Sequence, residues 1–79
     1  MKKRQVTIYR LEYIKIIDKL IKARKDAGLK QSDVADLLGW HQVDVSKIEK
    51  RVRRLDIMDL IDFSKIYKKP LQFFIGHIK

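Results

Sequence analysis

Between Gln31 and Glu49 the chain reads QSDVADLLGWHQVDVSKIE, and no other stretch constrains the fold as much. Val34, Leu37 and Leu38 recur at the spacing of one helical face, while Ala35 is small enough for a second helix to come close. Leu38-Gly39-Trp40 then breaks the periodicity with a glycine suited to a tight turn. Beyond the turn, Val45 and Ile48 face inward, and Gln42, Val43, Ser46 and Lys47 turn the other way. Two short amphipathic helices crossing steeply at a glycine-containing turn make a helix-turn-helix. The second helix of such a motif lies in the DNA major groove, so its outward residues are the candidate readers of sequence.

The remaining periodicity is helical throughout. Leu11, Ile14, Ile17, Leu20 and Ile21 mark a long first helix from about Ile8 to Ala27, stopped by Gly28 in the position of a C-terminal cap. Residues 1–10 are read as a basic N-terminal arm or as the start of that helix, and 11–79 as a single helix-turn-helix domain. Leu29 anchors the connection to helix two at 31–38, and helix three spans 42–50. Asp56 with Asp59 forms a capping arrangement for helix four, whose stripe is Ile57, Leu60, Ile61, Ser64 and Tyr67. Pro70 suits the first turn of a short fifth helix carrying Leu71, Phe74 and Ile75. The expectation is a compact all-α domain of five helices.

A chain of 79 residues supports one small domain with little core to spare. It has no cysteine, which excludes disulfides and thiolate metal sites, and His41 and His77 are too far apart in sequence to imply a local metal centre. No cofactor is expected. No apolar run approaches the roughly 20 residues that span a bilayer, and MKKRQVTIYR lacks the apolar stretch of a secretory signal, so a cytoplasmic protein is expected.

The net charge of +9 points to a polyanionic partner. Its placement is uneven. Lys50, Arg51, Arg53 and Arg54 directly follow helix three, where they are placed to meet phosphates, whereas Asp33, Asp36, Asp56, Asp59 and Asp62 sit on helices or at their starts.

The run ARKDAGLKQSDVADLLGWHQVDVSKIEKRVRRLDI resembles the Cro and phage-repressor type of helix-turn-helix domain, the XRE family. The resemblance rests on Arg24, Gly28-Leu29-Lys30-Gln31, Ala35, Leu38-Gly39 and Ser46-Lys47-Ile48-Glu49, in order and at the family spacing, with Arg53-Arg54-Leu55-Asp56 leading into helix four. It covers about residues 20–75 and implies a lambda-repressor-like fold. It implies that Gln31 bonds a DNA phosphate and braces the recognition helix, and that Arg24 and Glu49 form an internal salt bridge. Gln42 matches the position that reads base edges, where a glutamine meets adenine through two hydrogen bonds. Val43 would touch a thymine methyl, and Lys47 would reach guanine or a phosphate.

Four residues depart from the family pattern. His41 is a weaker helix cap than Ser or Thr, and Trp40 is bulky for its turn and is expected to pack on helix one or two. Asp44 would accept from cytosine, orient Lys47, or do nothing measurable. Arg51 replaces a glycine; a left-handed conformation there costs about 1 kcal/mol, so the loop is expected to take another shape.

The leading function is a sequence-specific double-stranded DNA-binding repressor acting as a homodimer on two half-sites. Phe73, Phe74, Ile75 and Ile78 are candidates for the dimer surface, or for closing the core over helices one and four. The alternative is an antitoxin or accessory module that binds both operator DNA and a partner protein. A membrane-surface role for helix one is set aside because its apolar stripe is needed to cover the other helices. An enzyme is not expected, because the sequence shows no nucleophile–base pair, phosphate-binding glycine loop or metal cluster.

Overall fold

The computed structural model describes residues 10–78. They form α1 (Leu11–Asp26), α2 (Gln31–Leu38), α3 (Gln42–Glu49), α4 (Ile57–Tyr67) and α5 (Leu71–Ile75), with no strand among the described residues. α2 packs chiefly on α3, and α1 lies against α5, α3 and α4. The first helix begins at Leu11 rather than near Ile8. Arg10 is extended, and its carbonyl accepts the first intrahelical bond, from Ile14 N–H at 3.0 Å. The reading of residues 1–9 as an arm lies outside the described residues.

The three helices that position the site start in the same way. The backbone N–H preceding each helix donates to an aspartate three residues on. These bonds run from Lys30 to Asp33 at 2.8 Å, from His41 to Asp44 at 3.0 Å and from Asp56 to Asp59 at 3.3 Å. Each carboxylate satisfies an orphan donor and places negative charge at the positive end of a helix dipole. At α4 the bond is reciprocated, Asp59 N–H donating to Asp56 Oδ1 at 2.8 Å. The His41 side chain makes no cap bond, as expected of a weak cap, and Asp44 satisfies a different donor, the His41 N–H.

The core is built from Tyr13, Ile17, Leu20 and Ala23 of α1, Val34 and Ala35 of α2, Val45 and Ile48 of α3, Leu60, Phe63 and Tyr67 of α4, and Phe74 of α5. Three residues read as inward are not. Leu37 is 63% exposed, because at about 100° per residue it lies well off the arc defined by Val34, Ala35 and Leu38. By the same arithmetic Leu11 falls roughly opposite the buried stripe of α1, and Ile57 about a quarter-turn from that of α4; both are exposed. On α4, Phe63 takes the central place instead, stacked on Tyr67 at 5.7 Å.

The segment after α4 is tied back into this core. Ser64 Oγ donates to the Lys69 carbonyl at 2.6 Å across the α4–α5 turn, where Lys68 is left-handed at φ 55°. Pro70 stands just before α5 as its N-terminal cap residue rather than within its first turn. Phe74 is fully buried and Phe73 partly so, and Ile75 and Ile78 stay exposed. His77 Nε2 lies 3.0 Å from the Glu12 carbonyl, which holds the end of the chain against the start of α1.

Candidate nucleic-acid interface

The turn between α2 and α3 works because residue 39 is glycine. Its φ of 70° is left-handed, a conformation a side chain disfavours, and it lets Trp40 N–H return to the Ala35 carbonyl at 2.9 Å. The α2 carbonyl that closes the turn belongs to the same alanine that packs in the core. Trp40 meets Phe63 of α4 edge-on, with ring centroids 5.8 Å apart. Its ring partner is thus on α4, and the indole packs against the core to which α1 and α2 also contribute.

A polar chain runs from the interior to the outward face of α3. Arg24 of α1 grips Glu49 through a fork, Nε to Oε2 at 2.7 Å and Nη2 to Oε1 at 3.0 Å, and its Nη1 donates to the Leu29 carbonyl at 3.0 Å. The two side chains are 12% and 8% exposed. Hydrogen bonding to Glu49 pushes the Arg24 guanidinium above its ordinary range, against the opposing effect of burial. Glu49 Oε1 also accepts from Gln31 Nε2 at 3.0 Å, and Gln31 Oε1 in turn accepts from Gln42 Nε2 at 2.9 Å.

This chain fixes the polarity of both amides. A carboxylate only accepts, so Gln31 must donate to Glu49 and offer its oxygen to Gln42, which must donate. Gln42 Oε1 and its second amide hydrogen take no partner among the described residues. An acceptor and a donor side by side complement the major-groove edge of adenine.

Around Gln42, the exposed face of α3 presents Val43 and Lys47, with Ser46 half-buried beside them. Lys50 caps the helix and is exposed. Arg51 is left-handed at φ 61°, so the loop keeps the left-handed shape at its cost instead of taking the other shape expected. Two backbone bonds hold it there: the N–H groups of Val52 and Arg53 both reach the Lys47 carbonyl, at 2.9 and 3.1 Å. At its far end Leu55 N–H donates to the Tyr13 hydroxyl at 2.9 Å, which fastens the basic loop to α1. Arg54 is exposed on this loop.

Asp44 has two defined uses that its sequence position disguised. One oxygen accepts from His41 N–H, and the other lies 3.6 Å from Arg53 Nη1. The guanidinium of Arg53 stacks over Trp40, 4.5 Å from the ring centroid. The three-residue spacing from His41 to Asp44 repeats that of Asp56 and Asp59, and it was the available clue to the first use. Nothing in the sequence linked Tyr13 to Leu55, or Trp40 to Arg53. Among the described residues no group of three or more His, Cys, Asp or Glu side chains stands together to hold a metal ion, and no helix is long and apolar enough to cross a membrane.

None of the curated proteins matches the chain in sequence. The helix-turn-helix family pattern matches residues 20–74, from the middle of α1 to the centre of α5, and so takes in the whole polar chain and the basic loop. The protein belongs to the Cro/C1-type helix-turn-helix family, the XRE family, and is of the DNA-binding transcription-regulator kind.

Proposed function

We propose that the protein binds a specific double-stranded DNA sequence through α3 and represses transcription by occluding a promoter as a homodimer. The observation that carries this reading is the amide chain from Glu49 through Gln31 to Gln42, which presets the donor and acceptor of an exposed glutamine before any DNA arrives. Gln42 reads an adenine edge and Val43 packs on a thymine methyl, with Ser46, Asp44 and Lys47 shaping the same surface. Gln31 lies at the N-terminus of α2, a place that favours anions, and bonds a phosphate. Lys50, Arg51, Arg53 and Arg54 flank the groove and supply the sequence-independent attraction.

One recognition helix discriminates too few base pairs alone, which argues for two copies on half-sites one helical turn apart, about 34 Å. Exposed Ile75 and Ile78, rather than Phe73 and Phe74, are available to that second copy. The protein acts by binding and not by catalysis, in the cytoplasm where DNA is accessible.

Selection of bound duplexes from a random pool tests the reading. The expected outcome is a palindromic site whose affinity falls linearly with the logarithm of salt concentration. Enrichment of no sequence above the starting pool overturns it.

A further inference from the structure

Asp44 poses a problem for any protein that lays α3 against DNA. It is a carboxylate at the third position of that helix, its side chain is 30% exposed, and a negative charge beside a groove is repelled by phosphates. The structure offers a specific remedy. Arg53 is anchored by its backbone N–H to the Lys47 carbonyl at the far end of α3, and its side chain folds back along the helix to reach Asp44 Oδ1 at 3.6 Å. The guanidinium carbon also lies 4.5 Å from the ring centroid of Trp40, and Trp40 is braced edge-on by Phe63. Two of the departures from the family pattern, Trp40 and Asp44, thus share one geometry with Arg53: the bulky turn residue is the platform, the acid is the partner, and the loop arginine bridges them.

We infer that Arg53 is a positioning and charge-masking residue for the recognition helix, acting through Asp44 and Trp40, and not a direct phosphate ligand like its neighbours. This revises the role given to Arg53 above and otherwise rests on the proposed DNA-binding function. With the clasp closed, the oxygen of Asp44 that the helix start does not use is paired with a cation, and α3 approaches the groove without an unpaired acid. A phosphate ligand would instead turn its guanidinium N–H groups to the DNA backbone and act independently of the charge on Asp44.

A double-mutant cycle separates the two roles. Arg53→Gln removes the cation from a half-exposed side chain, and Asp44→Asn removes the charge to be masked while keeping an oxygen for His41 N–H. Binding to the selected duplex is measured by fluorescence anisotropy over a range of salt, with circular dichroism melts to verify each fold. Arg53→Gln is expected to weaken binding about three- to tenfold alone, the scale of one exposed ion pair and the like charge it leaves behind, with an unchanged salt slope. In the Asp44→Asn background the same substitution is expected to change affinity less than about twofold. The single tryptophan, Trp40, reports the clasp without DNA: its emission should shift in Arg53→Gln. Arg53→Lys keeps the charge near Asp44 and is expected to restore most of the binding.

An equal loss in both backgrounds, with a salt slope lower by about 0.9, makes Arg53 a phosphate ligand and overturns the inference. So does an Arg53→Gln variant that binds as the parent does. A parent chain that binds no duplex overturns the proposed function itself, and this role with it.

Discussion

Removing the Glu49 side chain should be the most damaging single change near the site. Glu49→Ala leaves the Arg24 guanidinium, only 12% exposed, without its counter-charge. Breaking a buried ion pair from one side costs about 3–5 kcal/mol. The lower end applies, because Arg24 Nη1 keeps the Leu29 carbonyl at 3.0 Å. Gln31 also loses its acceptor, worth about 1 kcal/mol. A loss of about 3–4 kcal/mol should lower Tm by roughly 12–32 °C for a domain of this size. Against the ~5–15 kcal/mol typical of folded domains, that brings a small core close to unfolding. Arg24→Met with Glu49→Leu removes both charges and leaves none uncompensated, so the double variant should return to within about 1 kcal/mol of the parent. Its DNA affinity should not recover, since Gln31 and Gln42 have lost their anchor. Thermal and urea melts read the first effect and anisotropy the second. A loss below about 1 kcal/mol in Glu49→Ala, or a double variant as unstable as the single one, refutes the reasoning.

Three further outcomes follow from individual residues. Arg51→Gly and Lys68→Gly each place glycine at a left-handed position, φ 61° and 55°, and each should raise stability by about 0.5–1 kcal/mol in urea melts. Only Arg51→Gly should also lower the salt slope of DNA binding, by about 0.9, because Lys68 lies beyond α4 and away from α3. Burial, with Glu49 nearby, pushes the Tyr67 phenol well above its ordinary value of 10.0. The raised value means that the neutral phenol's contribution is complete below pH 10.0 and is lost as pH rises above it. Tm should therefore decline above that pH, and the decline should be shallower in Tyr67→Phe; identical profiles would remove Tyr67 from the cause.

The fold was legible because apolar spacing and glycine position encode it locally. Gly28, Gly39 and the Asp56–Asp59 box set helix ends with no reference to distant residues. Individual faces were less legible, since Leu11, Leu37 and Ile57 are apolar residues whose helical phase points them away from the core. The helix-turn-helix itself came from spacing, and the ordered family motifs singled out Arg24, Gln31, Gln42 and Glu49. What the sequence did not carry were contacts between residues far apart along it, such as Tyr13 with Leu55 and Trp40 with Arg53. Asp44 was opaque for a different reason. Its two oxygens serve two partners, and residue type alone gives no count of what a carboxylate will accept.

The central claim is that an exposed glutamine, oriented from within the core, reads DNA. Its most direct test compares Gln42→Ala with the parent on the selected duplex and on a random one. The predicted result is a loss of about 1–3 kcal/mol on the selected duplex and almost none on the random duplex, with the same salt slope. An equal loss on both duplexes, or none on either, contradicts it.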